Sequence, residues 1–138
     1  MRFNFDTTIK RLNGVAWTRA EVGMPKTSPE QSDDEYKADP LTLADFIVHC
    51  LLDVTEIESR DQMGRAIPKR LEEREKFERY RIAEAIYDRG VDGVVDLKVE
   101  QITTIKKCVD VGSNVEIMGR VFRFFEHALP EPVKEIAG

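Results

Sequence analysis

His49, Cys50, Cys108 and His127 are the residues whose types could hold a soft metal ion, and either cysteine beside a histidine could in principle act as a nucleophile. The spacing argues against both chemistries. Zinc ligands recur in short pairs such as C-x2-C or H-x3-H, and no such pair occurs. His49 and Cys50 are adjacent, and helix neighbours point about 100° apart, so the two side chains would not converge on one ion. Both cysteines lie in apolar-periodic segments, where burial raises a thiol's pKa instead of activating it. Two buried free thiols in a reducing cytoplasm are the plain expectation. A single bridge stays open, but two cysteines make no disulfide framework.

The carboxylates fare no better. Glu72-Glu73 and Asp33-Asp34 are paired only along the chain, in charged runs with no apolar pocket of the kind a general acid needs. No G-x-x-x-x-G-K or G-x-G-x-x-G occurs, so no phosphate-cradling loop is expected. Asp92-Gly93 and Asp110-x-Gly112 lack the alternating acids and closing Glu of a calcium loop. The sequence is therefore read as non-enzymatic, with no catalytic, cofactor-binding or metal residues and no cofactor.

Charge narrows the partners. The net charge over 138 residues is −5. Residues 1–20 carry Arg2, Lys10, Arg11 and Arg19 against Asp6, whereas 21–45 carry Lys26 and Lys37 against seven acids. That one acidic stretch equals the net charge of the whole chain, and the remainder nearly balances. No segment is strongly basic, so nucleic acid is an unfavoured partner. No apolar run approaches the ~18–20 residues of a membrane span, and Met1–Asp6 does not read as a secretory core. A cytoplasmic protein is expected, in a bacterial host or associated with a virion.

The elements that must position any site follow from pattern. Phe3 and Phe5, then Ile9 and Leu12, Asn13-Gly14, and Val15 and Trp17 read as a β-hairpin over 1–20 with a type I′ turn. Residues 21–41 read as an acidic mobile linker, since Gly23–Pro40 offers only Met24 and Tyr36 for burial. Thr42 caps a helix over Leu43–Asp53. Ser59–Ile67 reads as a loop. Pro68 opens a helix over Lys69–Arg89 with Gly90 as its stop and a buried stripe of Phe77, Tyr80, Ile82, Ala83, Ile86 and Tyr87. Val91–Leu97 reads as a turn with a short extended piece. A helix from Val99 ends at Gly112, and Ser113-x-x-Glu116 caps the last, through Val115, Met118, Val121, Phe122, Phe125 and Leu129. Pro130 starts a tail over 130–138. The expected fold is one α+β, mostly α domain over 1–138: an N-terminal hairpin packed on about four helices, the helical body spanning 42–129.

The last helix carries the strongest association signal. Ile117 and Phe124 lie off its main stripe, and a helix apolar on more than one face is central in a core or buried at an interface. Arg120 and Arg123 flank the phenylalanines, as exposed arginines do at interface hot spots, or cover the stripe's edge with their stems. Ile117, Arg120, Val121, Arg123, Phe124 and Phe125 are the candidate interface residues.

The fragments LTLADFIVHCLLD, EKFERYRIAEAIYDRG, VDLKVEQITTIKKCVDV and VEIMGRVFRFFE resemble small proteins encoded in tailed bacteriophages and prophages. That resemblance implies an N-terminal ribbon, an LTL helix start, a charged helix around K-x-x-R-Y and a closing helix beginning near a glycine. The acidic segment 23–40 is longer than the pattern. No activity follows from it, only a genomic setting. The reading is a phage- or prophage-type accessory or assembly protein that binds another protein, phage or host, and self-associates through Val115–Leu129. The alternative is a regulator of nucleic-acid transactions, binding through Lys69–Arg89 and the basic hairpin or mimicking DNA through the acidic segment.

Overall fold

The structure is a computed structural model describing residues 1–53, 57–68 and 71–130. The N-terminal hairpin forms around its glycine. Lys10 pairs with Ala16, Trp17 N donates to Ile9 O (2.9 Å) and Arg11 N to Val15 O (2.8 Å). The turn is not type I′. Gly14 N closes on Arg11 O at 2.9 Å, and among residues 11–15 only Gly14 has a positive φ, 87°. This is a three-residue loop ending in a left-handed glycine. Asn13 instead accepts from Val15 N through Oδ1 (3.0 Å), which spares it the positive φ. The hairpin then takes in the chain around Leu41, because Ile9 N donates to Leu41 O and Leu41 N to Trp17 O, both at 2.8 Å. Ile9, Leu41 and Trp17 thus form a closed ring of backbone bonds.

The first strand looks elsewhere for its partner. β1 (Arg2–Asn4) pairs antiparallel with β4 (Val94–Asp96), Phe3 opposite Val95. Phe3 and Phe5 are fully buried by this arrangement.

Helix α2 (Leu43–Leu52) starts where Thr42 accepts from Asp45 N (3.3 Å), and buries Leu43, Phe46, Ile47, Cys50 and Leu51. Its spacing of three and four is what lets one face pack against both α3 (Glu73–Tyr87) and α4 (Val99–Gly112). Helix α5 (Val115–Phe125) packs on α4. One apolar core joins the hairpin and all these helices, with Phe5, Leu41, Ile47, Ile82, Ile86, Ile105, Val109 and Val121 at its centre. The fold is α+β and mostly α, with the N-terminal ribbon packed on helices.

Several expectations need correction. The acidic segment is folded onto the body. It holds a short helix, α1 (Asp33–Ala38), capped by Ser32, and buries Met24, whose carbonyl accepts from the Tyr36 hydroxyl. Buried Arg19 secures it, donating to Pro25 O (3.0 Å) and Asp45 (2.8 Å) with Asp39 nearby at 3.8 Å. Sequence composition hides such a tie because the guanidinium comes from outside the segment.

The stretch read as a loop over 59–67 is a second hairpin, β2 (Ile57–Arg60) with β3 (Ala66–Pro68). Asp61 organises its turn, accepting from Met63 N and Arg65 N. Pro68 therefore ends a strand instead of opening a helix, and α3 begins only at Glu73. Lys69 and Arg70 lie outside the described residues, as do 131–138 of the expected tail. Helix α3 stops at Tyr87, and Gly90 is not its left-handed stop; the positive φ belongs to Gly93 (71°), whose N–H closes a turn on Gly90 O. The cap of α5 is Asn114, not Ser113, whose hydroxyl instead donates to Val109 O at the end of α4.

Candidate functional site

The expected stripe of α3 is half wrong in a useful way. Ile82, Ala83 and Ile86 are buried, together with Arg79, while Phe77, Tyr80 and Tyr87 face solvent. Arg81 stacks over the Phe77 ring at 5.9 Å, and the Tyr80 hydroxyl bonds Glu84, which raises its pKa. Aromatic rings on a charged helix count as apolar in a periodicity argument, yet their amphipathic edges tolerate water.

Helix α5 is rotated from the expected face. Ile117, Val121 and Phe125 are buried in the protein's own core, so they offer no area to a partner. Val115, assigned to the buried stripe, is 81% exposed. The reason is Phe3 and Phe5. Their rings meet Phe124 at 5.5 and 5.4 Å and Phe125 at 5.1 and 6.1 Å, and this four-ring cluster selects the 117–121–124–125 side of the helix. Of the six candidate interface residues, Arg120, Arg123 and the half-buried Phe124 reach the surface.

These three are brought together with the hairpin. A cavity of about 400 Å³ lies between residues 7–10 and α5, floored by Ile9, Leu43 and Phe124 and rimmed by Lys10, Arg120, Arg123 and His127. A second hollow of about 770 Å³ shares Arg120, Arg123 and His127 and reaches Leu12, Val115 and Gly119. The two make one groove along α5. Arg120 holds the walls in place: Nε donates to Lys10 O (2.8 Å) and Nη2 to Arg11 O (2.9 Å). Glu116, the groove's one carboxylate, accepts from Leu12 N (3.0 Å).

Among the described residues, several cations elsewhere in the fold are ion-paired, and those of the groove are not. Arg11 pairs with Glu21, Arg19 with Asp45, Lys26 with Asp33 and Arg89 with Asp6. Lys10, Arg120 and Arg123 have no carboxylate partner among the described residues. The groove is thus an apolar floor under unneutralised cations in a chain of net charge −5.

No three of the metal and thiol candidates gather at one place, although Cys50 and Cys108 lie near enough to interact. Cys50 and Cys108 are buried and not bridged, His49 is half-buried on α2 and His127 sits at the groove. Burial first, then Cys108 and Asp53, push the Cys50 thiol up to about 12. Among the described residues no group of three or more His, Cys, Asp or Glu could hold a metal ion, and no helix is long and apolar enough to cross a membrane.

Fold and groove together define a small mostly helical protein with an open basic-rimmed cleft. Comparison with family models, curated proteins and solved structures finds no match.

Proposed function

We propose that this chain is a small accessory or assembly factor that works by binding another protein through the groove between the hairpin and α5. The carrying observation is the set of cations, Lys10, Arg120 and Arg123, left without carboxylates among the described residues over an apolar floor. Apolar surface with convergent polar groups is what a recognition site needs, and the groove presents no nucleophile–base pair. The phage or prophage setting, and with it the host cytoplasm or virion, rests on the four resembling fragments. Affinity capture from prophage-carrying cells, with wild type and Arg123→Glu side by side, tests the reading. A protein retained only by the wild type supports it; identical captures count against it.

A second reading has its own observation. Phe77 is ringed by Arg74, Arg81 and Lys98 in a hollow of about 400 Å³, an aromatic face beside cations of the kind that stacks nucleic-acid bases. Glu78 and Glu100 line the same hollow, which weakens it. Oligonucleotide binding that falls by about one log-log unit per phosphate contact as salt rises would favour this reading.

A further inference from the structure

Resting on the protein-binding reading, we infer that the groove takes a short acidic–apolar segment of its partner: one bulky aliphatic or aromatic side chain on Ile9, Leu43 and Phe124, with nearby carboxylates on Lys10, Arg120 and Arg123.

Charge complementarity carries the choice of occupant. The groove concentrates three cations, and Glu116, its single acid, is already engaged by Leu12 N. Arg120 is the anchor. Two carbonyls of the hairpin fix its Nε and Nη2, so its remaining donors are held without further loss of side-chain freedom. Guanidinium favours carboxylate as a planar, two-point partner. Arg123 stands one turn further along the same helix, and Lys10 stands across the floor.

The floor decides between macromolecules. A cavity of about 400 Å³ is the size that receives a large side chain with its adjoining backbone. A nucleic-acid backbone would neutralise the rim and leave that floor unfilled. From Arg120 to Phe124 the helix rises about 6 Å, at about 1.5 Å per residue. An extended peptide covers that in roughly two residues, so the footprint is short, with the carboxylates close in sequence to the apolar anchor.

The test is selection from an mRNA-displayed random decapeptide library on the immobilised full chain. Enrichment of peptides that place two or more Asp/Glu next to Leu, Ile, Met or Phe is expected. The selected consensus peptide should lose about tenfold or more in affinity when its acids become amides, and again against Lys10→Glu/Arg123→Glu. Both side chains are exposed and without carboxylate partners among the described residues, so thermal melting of the double variant should match wild type. Arg123→Gln provides a milder second variant with the same expected direction. A pool without acidic enrichment overturns the inference, as does a duplex DNA that competes equally. So does a dimer by light scattering that Arg123→Glu dissolves, since a second copy would then fill the groove. Peptides that bind the double variant unchanged sink the groove assignment but leave protein binding standing. An empty selection together with an empty affinity capture sinks both.

Discussion

Arg19 Nη1 donates to Asp45 Oδ2 at 2.8 Å, joining the end of the hairpin to the first turn of α2. The arginine is 7% exposed and also donates to Pro25 O, so one side chain fastens the acidic segment to the body. Arg19→Met should cost about 1–3 kcal/mol in urea unfolding, the range for losing hydrogen bonds to a charged buried group. Limited proteolysis should then cut within 23–32 faster than in the wild type.

The four-ring cluster makes the hidden side of α5 the expensive one. Phe125→Ala should destabilise by about 3–5 kcal/mol, whereas Val115→Ser, at an exposed position on the same helix, should stay within about 0.5 kcal/mol. Chemical denaturation of the two variants in parallel is the check. Similar losses would mean that the helix presents the other face to the core.

Two glycines should respond differently to alanine. Gly14 has open space around a Cβ and suffers only the cost of φ 87°, about 1–2 kcal/mol. Gly93 has the same conformational cost and more, since a Cβ there would collide with the side chains of Asp6 and Asn4. Gly93→Ala should therefore lower the melting temperature further than Gly14→Ala.

The raised Cys50 thiol gives an alkaline signature. Its ordinary value is 9.0 and its value in the fold about 12. Between these the unfolded chain binds fewer protons than the native one, so stability present below pH 9 is lost as pH rises toward 12. The slope approaches about 1.4 kcal/mol per pH unit. In Cys50→Ala this limb should flatten. Iodoacetamide at pH 8 should label Cys50 only when denaturant opens the fold, and rapid native labelling would contradict the burial.

How much of this was legible in the sequence depends on where the deciding contact lies. Helix α2 was readable because its cap, Thr42, and its stripe are all local. The bounds of α4 and the place of the turn at Gly14 were legible too, but not the cap of α4 or the type of that turn. The face of α5 was not, because seven apolar residues within eleven allow more than one rotation, and Phe3 and Phe5 choose between them from over a hundred residues away. The hairpin around Asp61 was missed because its strands are short and poor in alternating apolar residues. Its one local signal was the Asp61-to-Gly64 turn pattern. The groove had no linear trace, since its walls are Thr7–Lys10 and α5. Only Arg120, Arg123 and Phe124 among its residues carried an interface signal, and that signal came mixed with residues of the core.

The pairing of β1 with β4, and the seating of Phe3 and Phe5 against α5, also set the order in which the molecule can assemble. Its helices α2 to α4 are local and can form early, but the first strand must wait for partners roughly ninety residues downstream, and its rings for α5 beyond them. Such high-contact-order closure comes late and slowly. On the ribosome, then, the nascent chain carries an unpaired apolar strand until β4 has emerged, and the groove exists only once synthesis has passed α5.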